Sequence, residues 1–206
     1  MPVSDALYPV SLVLAGKRCV VVGGGAVAAR KAAALVDAGA DVLVVAPRIC
    51  DQIRALPVIQ AERPYREGDL SEAWLVIAAT DDTEVNRRVY ADALAARIWA
   101  NAADDPEACA FTLPAVLRRG PVTVAVSTGG HSPALAGWLR DQIGTQFGPE
   151  IAPLAEMISQ ARDELRAAGR STEGLDWRRA LDSDMLGLIR SGQMALARER
   201  LQACLS

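Results

Sequence analysis

The chain has 206 residues, 51% of them hydrophobic and 23% charged, a balance that excludes a disordered or collagen-like polypeptide and suits one full domain with a smaller companion. Its 22 Lys and Arg against 25 Asp and Glu give a net charge of −3, the wrong sign for a general nucleic-acid binder, although basic residues can still gather locally. The apolar stretch from Cys19 to Ala29 is broken by three glycines and falls short of the ~20 residues of a membrane span. No basic segment leading into an apolar run opens the chain, so the expectation is a cytoplasmic protein with no membrane partner.

In chain order, the β-branched run Cys19–Val22 meets Gly23-Gly24-Gly25, a helical pattern fills 26–38, and Gly39 stops it. Asp41–Ala46 is a second buried strand, ended by Pro47. Strand, helix and strand within about thirty residues predict a parallel βαβ unit with a right-handed crossover. Further strands are predicted at Val58–Ala61, Trp74–Ala79 and Arg97–Asn101, with a helix over 83–96, and both faces of the sheet should be covered. After Asp104-Asp105-Pro106 the rhythm changes to a hairpin of Cys109–Leu113 and Val122–Val126, turned by Arg118–Pro121. Ser132 then caps a helix over 134–146 with Pro133 in its first position, and only helical patterns follow Glu150.

Gly23-Gly24-Gly25-Ala26-Val27-Ala28 fits G-x-G-x-x-A between a strand and a helix. In that fingerprint Gly23 permits the turn, Gly25 lets backbone approach a pyrophosphate, and the helix start supplies free N–H groups and a positive dipole end. The acid expected about twenty residues on, for the ribose hydroxyls, is replaced by Pro47 and Arg48. Arg48 can meet the 2′-phosphate of NADP or stand in solvent, and the residues leave NAD and NADP open. Ala78-Ala79-Thr80-Asp81-Asp82 closes a central strand where ligands sit in doubly wound sheets. Thr80 and Asp81 can line the nicotinamide ribose, and Asp81 or Asp82 can equally cap the next helix. Asn101-Ala102-Ala103-Asp104 ends the following strand on the same edge; Asp104 either faces the crevice as a base or turns the chain before Pro106.

The pairs Arg30-Lys31, Arg87-Arg88 and Arg118-Arg119 are either solvated surface or a pocket for a polyanion. His131, the one histidine, has no nucleophile motif beside it and reads as a polar loop residue. Cys19, Cys50, Cys109 and Cys204 lie tens of residues apart, without the spacing of a metal site, and read as inert thiols.

Taken together, the segments 22–31, 78–82, 101–104 and 126–136 resemble the siroheme synthase family, and more narrowly its precorrin-2 dehydrogenase and sirohydrochlorin ferrochelatase module, over about residues 7 to 200. The resemblance implies an α/β chain: a Rossmann-type parallel sheet over 1–113, a small dimerisation segment over 114–148 and a helical domain over 149–206. It implies NAD-dependent oxidation of precorrin-2 to sirohydrochlorin, with Fe²⁺ insertion to siroheme in many members, by a homodimer. Cofactor contacts then fall on Gly23, Gly25, Ala26, Val27, Pro47, Arg48, Thr80 and Asp81. The aspartate of the reaction falls on Asp104. Tetrapyrrole contacts fall on Asn101, Arg118, Arg119, Ser127, Thr128 and Gly129, and there is no resident metal. The family lacks the ribose acid, which turns that absence into a match and favours NAD. Some relatives carry a methyltransferase for which 206 residues leave no room, so another protein is expected to supply the substrate. A member with dehydrogenase activity alone, or a non-catalytic NAD sensor, are the alternatives; the sensor gives no role to the polar Ser127–Ser132 loop.

Overall fold

A computed structural model of the chain describes residues 7–103, 105–181 and 183–205. They divide into two compact units, one running to Leu113 and including Gly129–His131, the other comprising Pro114–Thr128 and the chain from Ser132 onward. Among the described residues no helix is long and apolar enough to cross a membrane.

The first unit alternates strands and helices: β1 (Arg18–Val22), α1 (Ala26–Asp37), β2 (Asp41–Ala46), α2 (Asp51–Arg54), β3 (Ile59–Glu62), β4 (Leu75–Ala78), α3 (Thr83–Ala95) and β5 (Trp99–Ala102). The five strands form one parallel sheet in the order β3-β2-β1-β4-β5. The order reverses between β1 and β4, and the crevice of a doubly wound sheet opens beyond the carboxyl ends of such a pair. Side chains alternate across the sheet, as a period of two demands. Cys19, Val21, Val44 and Ile77 face α1 through its buried Ala28, Ala29, Ala32 and Leu35. Val20, Val22, Val45 and Val76 face α3 through Val89 and Ala93. Both faces are therefore buried, and each fully buried Val or Ile contributes about 1.5–3 kcal/mol.

Two chain reversals deliver the strands to their positions. Helix α1 ends where Gly39 turns left-handed at φ 76°, its N–H donating to the Val36 carbonyl and that of Ala40 to the Leu35 carbonyl, the Schellman pairing. Helix α3 ends in the same pairing with Arg97 at φ 58°. Below β3, Asp69 is buried and accepts from both terminal nitrogens of Arg63, at 2.8 and 2.5 Å, and from the Arg66 N–H at 2.8 Å. The Arg63 guanidinium holds the Asp69 carboxyl below the usual carboxylate range.

The second unit holds β6 (Ala115–Arg119), β7 (Val122–Val126), α4 (Pro133–Gln146), α5 (Ile151–Ala167), α6 (Trp177–Leu181), α7 (Met185–Arg190) and α8 (Met194–Leu205). The hairpin expected from the sequence exists, but its first arm is Ala115–Arg119 and not Cys109–Leu113. Arg119 pairs with Val122, leaving Gly120 and Pro121 as a two-residue turn with Gly120 at φ 56°; a turn that short needs positive φ at its first position and sets the register. In strand pairing Cys109 has an isolated bridge to Asn101. One face of the hairpin turns Leu117, Arg119 and Val124 inward and the other leaves Val116, Arg118, Thr123 and Ala125 exposed. The helices close over Leu154, Met157, Met185, Ile189, Ala197 and Leu201. Glu150, buried at the start of α5, takes both Nε and Nη2 of Arg190, a pin across the bundle that the sequence did not announce.

Candidate active site

Four loops leave the carboxyl edge of the sheet side by side because the ladder runs past the last residue of each strand. The Gly23 N–H donates to the Val45 carbonyl at 2.9 Å, that of Ala79 to Val22 at 2.7 Å, and that of Ala103 to Ala78 at 2.7 Å. The turn after β1, the Pro47-Arg48 turn after β2, the Thr80 loop after β4 and the chain after β5 thereby share one rim.

The three glycines at this rim differ in kind. A Cβ on Gly23, whose φ is 134°, would collide with the Ala79 carbonyl, and one on Gly24 would collide with the Arg48 carbonyl. Both are glycines because neighbouring backbone occupies the space. A Cβ on Gly25 would meet nothing within 4 Å, so its missing side chain leaves room for something outside the chain. Gly25 is also the N-cap of α1 and provides no side-chain cap. The exposed Ala26 and Val27 follow it, in the first turn, whose N–H groups have no intrahelical acceptor. A diphosphate at that point would find backbone donors, a positive helix end and no steric barrier; the chain fits the group its fingerprint implies. Pro47 and Arg48 are exposed beside this turn, with the Arg48 backbone held against Gly24. No acid occupies either position.

Thr80 is fixed by a residue the sequence reading overlooked. Asn86, only 5% exposed within α3, accepts from the Thr80 hydroxyl at 2.8 Å and from its N–H at 3.1 Å, and its amide donates to the Thr80 carbonyl at 3.0 Å. Asn86, Val89 and Ala93 form the buried stripe of α3, and a polar residue on an apolar stripe was the available signal. The question of which aspartate caps α3 also resolves: Asp82 accepts from the N–H groups of Glu84 and Val85. Asp81 is exposed and takes no part in the cap.

Asn101, on β5, uses its amide within the chain, donating to the Phe111 carbonyl at 2.8 Å. Asp104 lies outside the described residues. Its neighbour Asp105 accepts from Arg87 Nε of α3 at 3.2 Å, which accounts for one of the paired arginines. Burial raises the pKa of the Cys109 thiol, and the Asp105 carboxylate adds to the effect, so at neutral pH it is a hydrogen-bond donor rather than a nucleophile.

In the second unit the expected arginine pair separates. Arg118 points from the exposed face of the hairpin, whereas Arg119 donates to the Phe147 carbonyl at 3.2 Å and the Gly144 carbonyl at 3.4 Å. Those carbonyls belong to the end of α4, where a cation offsets the negative end of the helix. The Thr128 hydroxyl donates to the Ser132 carbonyl at 3.0 Å and accepts its N–H at 3.1 Å. This closes a tight loop around Gly129 and Gly130, at φ 60° and 82°. Ser132 caps α4 by accepting from the Leu135 N–H, with Pro133 next to it as the sequence predicts. Ser127 is exposed at the mouth of that loop.

Two family models match the chain. Residues 10–115 match a family model described as putative NAD(P)-binding, and residues 119–146 match one described as the central part of sirohaem biosynthesis proteins. The chain is 36% identical over 203 residues to a siroheme synthase of Nitrosococcus oceani, covering 96% of the chain and 43% of that relative. It is 38% identical over 204 residues to a siroheme synthase of Thioalkalivibrio sulfidiphilus, covering 96% and 42%. The chain thus spans less than half the length of these curated relatives. A solved structure described as SirC, precorrin-2 dehydrogenase, superposes with a TM-score of 0.69 at 25% identity, over 96% of this chain and 98% of that one.

Proposed function

The chain belongs to the putative NAD(P)-binding family and has siroheme synthases as homologues, and from that premise we propose that it is an NAD⁺-dependent dehydrogenase converting precorrin-2 to sirohydrochlorin. The observation that carries the cofactor assignment is the open space at Gly25 above the first turn of α1. In this proposal Gly23 and Gly24 shape the turn, and the backbone of Gly25, Ala26 and Val27 receives the diphosphate. Pro47 and Arg48 flank the adenosine end, and Thr80 and Asp81 the nicotinamide end.

When bound, the nicotinamide supplies the acceptor for a hydride. The rest of the chemistry falls to the chain. Removing two hydrogens from the substrate releases a hydride and a proton, and Asp104 takes the proton on its carboxylate; such general-base help is worth roughly 10²–10⁴-fold. Precorrin-2 is a polycarboxylate, which the free guanidinium of Arg118 suits through charge-assisted hydrogen bonds. Arg119 keeps its place at the end of α4, so the substrate role narrows to Arg118 of that pair. In the loop of Ser127, Thr128 and Gly129 the exposed Ser127 offers its hydroxyl to the macrocycle, while Thr128, bonded to Ser132, holds the loop's shape. Fe²⁺ enters as a second substrate, and Asp104 accepts the two pyrrole protons it displaces one at a time, passing each to solvent.

A homodimer through residues 114–148 completes the proposal. Its support is apolar surface left open in that segment: Val116 is 38% exposed on the hairpin, and Leu135 and Trp138 of α4 are 47% and 57% exposed. The protein is expected to work in the cytoplasm.

The proposal is tested by mixing the protein with NAD⁺ and precorrin-2 and following the NADH absorbance, with NADP⁺ in a parallel run. NADH should appear in proportion to precorrin-2 consumed. A folded protein that binds NAD⁺ and forms none would be a sensor. Adding Fe²⁺ to sirohydrochlorin then reads the chelatase step as siroheme formation.

A further inference from the structure

The loop that leaves β5 is tied back onto its own strand by side chains. From β5, Asn101 Nδ2 donates to the Phe111 carbonyl at 2.8 Å and lies 3.4 Å from Cys109 Sγ. The Cys109 thiol stands 3.3 Å from the Ala102 carbonyl and 3.2 Å from the Asp105 carbonyl, one proton serving one of them at a time. The backbone adds an Ala110 N–H to Ala100 carbonyl bond at 2.8 Å and the bridge between Asn101 and Cys109. On the near side the Ala103 N–H is bonded to Ala78, and on the far side the Asp105 carboxylate is held by Arg87. Ala103 and Asp105 are therefore both anchored, and the small crossed network of Asn101 and Cys109 ties Ala102, Asp105 and Phe111 together beside β5.

We infer that Asn101 and Cys109 are positioning residues of the reaction, acting by holding the chain at Ala103 and Asp105, the described neighbours of Asp104. The inference rests on the proposal that Asp104 is the proton acceptor. It assigns a task to Cys109, which the sequence left without one, and moves Asn101 from touching substrate to shaping the loop. The thiol has to stay protonated to donate to a carbonyl, and its half-buried place favours that form. A proton acceptor displaced by about 1 Å loses on the order of 10²-fold in rate, so a network this small can matter.

The test compares Cys109→Val, which keeps volume and removes the donor, with Cys109→Ser, which keeps the donor. Cys109→Val should lower kcat about 10-fold or more, with the NAD⁺ dissociation constant unchanged and the acid limb of the kcat–pH profile displaced. Cys109→Ser should restore most of the rate. Wild-type turnover in Cys109→Val, or equal losses in both variants, would overturn the inference. Asp104→Asn measured alongside separates the two claims. If it is slow while Cys109→Val is normal, only the positioning role falls; if it turns over like wild type, the proton-acceptor role falls and takes this inference with it.

A second measurement does not depend on turnover. In a Cys50→Ser, Cys204→Ser background, iodoacetamide should alkylate Cys109 slowly. Adding Asn101→Ala should raise that rate at least about 10-fold, because the loop loses its clamp. An unchanged rate overturns the clamp whatever the protein catalyses.

Discussion

The two loops that flank the crevice are built in opposite ways. The turn after β1 is emptied: two of its glycines make way for the protein's own carbonyls and the third leaves open space. The loop after β5 is filled, with the side chains of Asn101 and Cys109 spent on its own backbone. An emptied turn serves a ligand that brings its own charge and needs only backbone donors. A filled loop keeps its own backbone in one place, which is what the proposed acid–base role of Asp104 calls for. In the proposed site, the cofactor half would thus rest on absent side chains and the acid–base half on side chains bonded in place.

That contrast can be broken within the glycine run itself. Gly24→Ala places a methyl against the Arg48 carbonyl and should cost roughly 1–3 kcal/mol of stability, read as a lower Tm. Gly25→Val finds open space, so stability should hold to within about ±0.5 kcal/mol, as is usual of surface changes, and Tm should barely move. NAD⁺ binding should weaken on the order of 10-fold or more, about 1.4 kcal/mol, as measured by titration. Equal losses of stability in the two variants would dissolve the distinction between glycines kept for the fold and one kept for a ligand.

A smaller effect separates the neighbours Arg118 and Arg119. Arg119→Met removes donors from the end of α4 and should cost about 1 kcal/mol. Arg118→Met should leave Tm alone and raise KM for the tetrapyrrole. The reverse pattern would return Arg119 to the substrate.

The smallest expected effect lies away from the site, at Asp69. Its folded pKa is depressed by Arg63, against an unfolded value of about 3.9. The contribution is therefore fully present above that unfolded value and lost as pH falls through the lower folded one. Asp69→Asn should lower Tm near neutral pH and flatten its decline in acid. An unaltered acid limb would mean the bonds of Arg63 contribute nothing measurable.

The βαβ core was legible because its signals are dense: β-branched runs such as Cys19–Val22 and Asp41–Ala46, a glycine fingerprint between strand and helix, and Gly39 as a stop. The hairpin was misplaced because Cys109–Leu113 has the composition of a strand, while the bonds that make it a tied loop join residues distant in sequence. Once the first arm is Ala115–Arg119, the period of two by itself sends Arg118 and Arg119 to opposite faces. Asn86 escaped notice because a polar residue inside a helix reads as surface until the buried stripe is drawn. The link between Glu150 and Arg190 spans the bundle, and nothing local marks it.

The central claim is that the emptied turn holds NAD⁺ while Asp104 takes the proton. The most direct test is single-turnover NADH formation from precorrin-2 by the wild-type protein and by Asp104→Asn, with the NAD⁺ dissociation constant of each. The account predicts equal NAD⁺ affinity and a rate lower in the variant by roughly 10²–10⁴-fold. Equal rates, or no NADH from a wild-type protein that binds NAD⁺, would contradict it.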